Sequence, residues 1–234
     1  MTKTSIKHHA SISEDNSWSN KDNAAFYENI SKEANRENSI LGGLEEGCDL
    51  TLAHNYLVNA NSILEIGAGY GRVLYCLKQR KYKATITAVE RSQKLCKILK
   101  ERFFNTIEII ECDIKNFTTN KQYDAILWLF SGISDFTQEE QLYVLKKIAL
   151  LLTRKGVIIL DTFSPDLKPA NALHAKAQSY LIHLENNKLH GYIPSREEII
   201  EYAQKLNITL LECIPYETDT QSKRYLYILG KIEL

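Results

Sequence analysis

The chain carries no net charge, its 29 lysines and arginines balancing 29 aspartates and glutamates over 234 residues. Proteins that live on phosphate contacts show a basic excess, so no nucleic-acid partner is expected. The one local basic concentration, Lys78, Arg80, Lys81 and Lys83, reads as a solvated helix end in preference to a binding patch. No apolar run is long enough to span a bilayer, and no membrane partner is expected. Cysteine is sparse and scattered: Cys48, Cys76, Cys96, Cys112 and Cys213 are odd in number and never spaced as a metal knuckle. That pattern argues against a disulfide framework and a metal site, and suits reduced thiols in a cytoplasmic protein. Residues 1–20 lack the apolar core of a secretory signal and contain no arginine. Residues 1–22 are therefore expected to form a flexible tail, with one domain over 23–234.

The 44% hydrophobic and 25% charged residues are those of an ordinary globular domain, long enough to bury a sizeable core. Asn23–Ala34 has helical spacing of Ala24, Phe26, Tyr27 and Ile30. Asp49 stands where it can cap a helix over Leu50–Ala60, closing the N-terminal helical stretch 23–60. From Ser62 short β-rich runs alternate with helical ones. Strands are expected over Ser62–Ile66, Ala84–Val89, Ile107–Glu111, Tyr123–Leu129 and Val157–Thr162. Helices are expected over Gly71–Arg80, from Ser92 to about Phe103, and from the capping box Thr137/Glu140 to about Thr153, with Gly156 marking the passage to the next strand. This alternation implies a parallel sheet. After a second capping box, Ser195/Glu198, and a helix to about Leu206, two runs, Ile208–Ile214 and Arg224–Leu229, follow without a helix between them. They must pair antiparallel. The fold class is thus α/β, with seven strands, mainly parallel, and an antiparallel strand at the C-terminus.

Chemistry concentrates at Glu65-Ile66-Gly67-Ala68-Gly69-Tyr70-Gly71, where the first strand turns into a helix. Glycines there let backbone approach a ligand, and the helix start offers free N–H groups. The spacing is G-x-G-x-G, one residue tighter at its third glycine than the dinucleotide fingerprint. Glu65 lies two positions before the first glycine. Glu90 ends the next strand, where a carboxylate can accept both hydroxyls of a ribose. Asp113 follows the third strand, placed to accept from an adenine amine with Ile114 along the ring.

These segments, with Val89-Glu90, Tyr123-Asp124-Ala125-Ile126-Leu127-Trp128-Leu129 and the stretch Leu151–Asp161, resemble the ordered motifs of class I S-adenosylmethionine-dependent methyltransferases of the small-molecule type. The resemblance covers about Asn61–Thr162 and the terminal strand pair. It implies a Rossmann-like doubly wound sandwich and S-adenosyl-L-methionine as cofactor, with S-adenosyl-L-homocysteine as product. It also implies that Gly67, Ala68, Gly69 and Gly71 hold the methionine part, that Glu65 reaches its amino group, and that Glu90 and Arg91 meet the ribose side. Asp113, Ile114 and Leu129 would complete the cofactor site. The absence of a P-loop lysine agrees, since this ligand has no phosphate.

The partner implied is a small methyl acceptor modified at N, O or S. It should meet the loops after the fourth and fifth strands. The first, Phe130-Ser131-Gly132-Ile133-Ser134-Asp135, lacks the Asn/Asp-Pro-Pro-aromatic signature of nucleobase amino methylation. The second is an insertion over residues 163–194, read as a side wall of the acceptor site. Within it, Tyr180–Ile193 reads as a hairpin about Asn186-Asn187, against a competing helix over Ala172–Leu184. His190 and Tyr192 are the acid–base candidates, ahead of His174 and His183, with packing as their alternative role. Phe26 and Tyr27 either cover the cofactor or pack in the core. Three other readings stay open: a non-catalytic binder of the same ligand, a methyltransferase acting on protein or RNA, and a nicotinamide dehydrogenase, which the early third glycine disfavours.

Overall fold

The computed structural model describes residues 18–164, 178–184 and 187–231. Four short helices come first: α1 (Ala24–Asn29), α2 (Lys32–Leu41), α3 (Cys48–Leu52) and α4 (His54–Leu57). Then follow β1 (Ser62–Ile66), α5 (Arg72–Gln79), β2 (Thr85–Glu90), α6 (Gln93–Arg102), β3 (Glu108–Glu111) and β4 (Tyr123–Trp128). A 3-10 turn over Gly132–Asp135 leads to α7 (Gln138–Ala149) and β5 (Leu152–Phe163). The chain continues with β6 (Ser179–Leu184), β7 (Asn187–Tyr192), α8 (Arg196–Lys205), β8 (Thr209–Glu217) and β9 (Lys223–Gly230).

Seven strands form one sheet in the order β3-β2-β1-β4-β5-β9-β8. Neighbours are parallel from β3 through β5, and β9 runs antiparallel to both β5 and β8. The α/β class, the seven strands and the antiparallel C-terminal strand are as the sequence predicts. Alternate residues of each strand feed two apolar layers. Leu64, Ile126 and Ile158 face Val144, Leu145 and Ile148 of α7 and Ile199 of α8. Ile63, Ala125 and Ile159 face Leu74 and Leu77 of α5 and Leu99 of α6. Each of these leucines, isoleucines and valines contributes about 1.5–3 kcal/mol when fully buried. Because helices cover both faces, strands such as β4 are apolar nearly throughout.

Several expected boundaries change, each for a physical reason. The helix expected over Asn23–Ala34 breaks at Ile30, and Ser31 caps a separate α2 by accepting from the Ala34 amide. Asp49 caps nothing: it lies inside α3, wholly buried, paired with Arg72 at 2.7 Å. The expected single helix over Leu50–Ala60 is two short ones meeting at Ala53. Gly156 lies within β5, not at its start; a Cβ there would come within 2.6 Å of the Tyr123 carbonyl oxygen. In the insertion, β6 and β7 pair antiparallel from Ser179↔Tyr192 to Leu184↔Asn187, so the hairpin reading holds there over the helix. The expected tail also ends sooner than Asp22. Asn20 is only 1% exposed, and its side-chain amide donates to the Asp135 carbonyl at 2.9 Å. No helix among the described residues is long and apolar enough to cross a membrane.

Candidate functional site

The turn leaving β1 is built for close approach. Gly67 has φ +70°, a conformation that costs other residues free energy, and a Cβ added to it would meet nothing within 4 Å. Its amide donates to the Val89 carbonyl at 2.8 Å, which ties the turn to β2. Gly71 explains the early third glycine. At φ +89° it starts α5, and a Cβ would lie 2.7 Å from the Phe103 ring and 2.8 Å from Leu99. Glycine here lets α6 pack against the base of the loop. Ala68 is buried beside it. Arg72, the next residue, donates to both Asp49 carboxylate oxygens, at 3.0 and 2.7 Å, and to the Leu44 carbonyl. The N-terminal helices are thereby fastened to the loop.

Three acids gather near this turn. Glu65 is 3% exposed, and its Oε2 has no hydrogen-bond partner among the described residues. Burial pushes its carboxyl well above the ordinary range; Arg72 opposes this, and Glu90 and Asp49 add to it. Glu90 Oε2 accepts from the Gly69 amide and Oε1 from the Ser92 amide, both at 2.8 Å. Burial raises its pKa too, against those two amides. A carboxylate has about four acceptor sites, so Glu90 keeps capacity for two ligand hydroxyls. The third acid is Asp135, at the end of the turn after β4. Its Oδ2 accepts from the Tyr27 phenol at 2.5 Å. Burial raises it to about 6, opposed by Tyr27 and Arg91 and reinforced by Glu90.

The other expected cofactor residues are placed as follows. Arg91 donates to the Asn20 carbonyl and side-chain oxygen at 2.9 and 2.8 Å, and lies 5.3 Å from the centre of the Tyr27 ring. Its guanidinium is thus committed to the N-terminal segment. Asp113 is half-buried and accepts from the Lys115 amide at 2.8 Å. Ile114 and Leu129 are buried, on opposite faces of the sheet.

The loop after β4 is strained and pinned. Phe130 and Ser131 both have positive φ, +59° and +56°. The Ser131 amide donates to Asp161 Oδ1 at 3.0 Å, and its hydroxyl accepts from Arg224 Nη2 at 2.6 Å. Arg224 and Asp161 form a fully buried ion pair, and Arg224 lies 4.3 Å from the centre of the Phe163 ring. At the far end of the loop, the Asn23 side chain donates to the carbonyls of Asp135 and His190, at 2.9 and 2.8 Å, and accepts from the His190 amide at 2.8 Å. Buried Gln141 donates to the carbonyls of Ile133, Phe136 and Tyr192. Two amide side chains thus join the loop to the β6–β7 hairpin.

The sequence candidates for acid–base work both have partners in the fold. The Tyr192 hydroxyl donates to Glu198 at 2.5 Å and lies 3.2 Å from the Gln178 side-chain oxygen, so it docks the hairpin onto the start of α8. Burial and Glu198 push its pKa up, which keeps it a neutral phenol at neutral pH. The His190 ring stacks on Trp18 with centroids 5.5 Å apart. His174 and the side chain of His183 lie outside the described residues. Of the first-helix pair, Phe26 packs with Ile30 and Leu189, whereas Tyr27 reaches Asp135. Sequence reading missed Asp135, Asn20, Asn23, Gln141 and the Asp161–Arg224 pair. Only Asp135 lay in a loop already expected to meet ligand. No group of three His, Cys, Asp or Glu side chains among the described residues could hold a metal ion.

Comparison with known proteins agrees with this architecture. Residues 63–156 match the family described as the methyltransferase domain. This match runs from β1 into β5, through the glycine turn and Glu90. It is 25% identical over 164 residues to malonyl-[acyl-carrier protein] O-methyltransferase of Priestia megaterium, covering 69% of this chain and 58% of that protein. It is 30% identical over 113 residues to demethylmenaquinone methyltransferase of Thermotoga maritima, covering 47% of this chain and 48% of that protein. The matched stretches span about half the length of these two relatives. Among solved structures, 1,6-didemethyltoxoflavin-N1-methyltransferase of Burkholderia thailandensis superposes with a TM-score of 0.66 at 14% identity, covering 92% of this chain and 87% of that one. That likeness extends the methyltransferase fold well beyond the family match, to most of the chain.

Proposed function

We propose that this protein transfers a methyl group from S-adenosylmethionine to a small-molecule acceptor. The observation that carries the reading is Glu65 Oε2, buried and unpartnered beside a glycine turn that opens at Gly67. A desolvated, unpaired carboxylate is costly, and a ligand ammonium is the group that relieves it. The ligand has an ammonium and a sulfonium, and Glu65 and Glu90 supply negative charge at the glycine turn. When bound, it supplies a methyl carbon already activated by positive sulfur.

The chain's own residues bind, orient and exclude water. Gly67, Ala68, Gly69 and Gly71 present backbone to the methionyl part, Glu90 accepts from the ribose diol, and Asp113 with Ile114 meets the adenine. Alignment is the main source of rate in such a displacement. The Phe130–Asp135 loop, held at both ends, and the hairpin behind it form the acceptor wall. The three relatives' names speak of a carrier-bound malonyl group, a demethylmenaquinone and a didemethyltoxoflavin, which favours acceptors of that size. All five cysteines are unpaired, which suits a cytoplasmic setting. Calorimetry with S-adenosylmethionine and S-adenosylhomocysteine tests the binding, and release of S-adenosylhomocysteine over a panel of small acceptors tests the transfer. Failure of both ligands to bind the folded protein would end this reading.

A further inference from the structure

We infer that the Asp135 carboxylate is the proton acceptor of the reaction, and that the methyl acceptor is an amine. The inference rests on the methyl-transfer reading and goes beyond it by naming a base and a substrate class.

Placement is the first argument. Asp135 closes the turn after β4, the strand beside β1 in the sheet. Ligands in open α/β sheets lie beyond these strand ends. Its main chain is fixed by two buried asparagines, Asn20 and Asn23, which both donate to its carbonyl at 2.9 Å. On a main chain so fixed, the carboxylate keeps one position, held by the Tyr27 phenol.

Its partners are the second argument. Buried acids are ordinarily paired with a cation. Asp49 and Asp161, both wholly buried, follow that rule with Arg72 and Arg224, whereas Asp135 is half-buried. Among the described residues Asp135 forms no ion pair and has the neutral Tyr27 phenol instead. The titratable and charged groups around it are Tyr27 on α1, Glu90 and Arg91 at the end of β2, Tyr180 on β6 and His190 on β7. Arg91 lies against the Tyr27 ring and is held by Asn20. Burial, opposed by Tyr27, sets the Asp135 carboxyl at about 6, so it is ionised at neutral pH and a stronger base than a solvated aspartate.

Charge selects the acceptor. Beside the ionised Asp135 carboxylate, with Glu90 close enough to act on it, an anionic carboxylate or phenolate acceptor is repelled and an ammonium is attracted. An ammonium has no lone pair and must lose a proton before it reacts. Asp135 takes one N–H proton, and the freed nitrogen pair forms the N–C bond. The C–S bond breaks with its electron pair kept by sulfur, and the charge on sulfur is discharged. The proton then leaves Asp135 for solvent.

The test uses Asp135→Asn, whose side-chain oxygen still accepts from Tyr27, and a panel of small primary and secondary amines matched with alcohols, thiols and carboxylic acids. S-adenosylhomocysteine should bind both proteins equally. Amines should be the class turned over, with kcat lowered on the order of 100-fold or more in the variant. Wild-type kcat/KM should fall as pH drops through about 6, because the base is then protonated. Tyr27→Phe removes a hydrogen bond that favours the carboxylate, so it should move that limb to higher pH. Independently of turnover, an infrared titration should show a protonated carboxyl band that grows below about pH 6 in wild type and is missing in Asp135→Asn. The inference is overturned by near-wild-type turnover in Asp135→Asn, by absence of that band, or by protein that binds S-adenosylmethionine yet methylates no amine. Protein that binds neither ligand would instead strike at the methyl-transfer reading.

Discussion

The two ends of the proposed site are built in opposite ways. The glycine turn and Glu90 are positioned by residues nearer in the chain: Glu90 holds the Gly69 amide, 21 residues away, and the Ser92 amide, two residues away. The acceptor wall is positioned by residues far apart in the chain. Asn23 reaches Asp135 and His190 across 112 and 167 residues, and Arg224 reaches Ser131 across 93. A cofactor common to many enzymes can be met by a compact local module. An acceptor particular to one enzyme is met by loops that a scaffold clamps from several directions.

Four substitutions separate the halves. Arg224→Met, on the acceptor side, should have the largest effect on stability. Leaving Asp161 buried without its partner costs about 3–5 kcal/mol, read from urea unfolding, while S-adenosylhomocysteine affinity in the folded fraction stays unchanged. If that affinity falls with stability, the halves are one unit and the contrast fails. Glu90→Ala, on the cofactor side, should do the reverse. Loss of charged hydrogen bonds worth roughly 1.5–3 kcal/mol weakens S-adenosylhomocysteine about ten- to a hundredfold. Calorimetry reads this, and unfolding should change little because a desolvated carboxylate has gone. Asn23→Ala should cost about 1–3 kcal/mol by orphaning the His190 amide, and raise the acceptor KM while sparing cofactor affinity. Ser195→Ala, in the α8 capping box outside both halves, should cost about 1 kcal/mol and alter neither binding constant.

The same contrast explains what could be read from sequence. β1, the glycine turn, Ser92 and both capping boxes were legible because each is decided within a few residues. The antiparallel β9 was legible because two strand runs lacked a helix between them. Asp49 misled because its cap-like position gives no sign of Arg72, 23 residues on, whose charge draws it into the core. Gly156 looked like a helix stop, whereas its reason is the Tyr123 carbonyl on the adjacent strand. Tyr192 attracted attention for its chemistry, and only packing shows its hydroxyl spent on Glu198. Asp135 stood in a loop already singled out. Its pairing with a phenol in place of a cation depends on the distant α1, which no local pattern records.

The Asn23 clamp also orders events in time. Contacts between segments so distant in sequence carry a large closure entropy and are slow to form. On the ribosome, Asn23 is made long before its partners on β7. The parallel strands and their glycine turn can assemble while His190 is still unsynthesised, leaving this asparagine exposed in the meantime. The proposed acceptor wall thus waits on a contact that cannot form until β7 has been made, whereas the glycine turn does not.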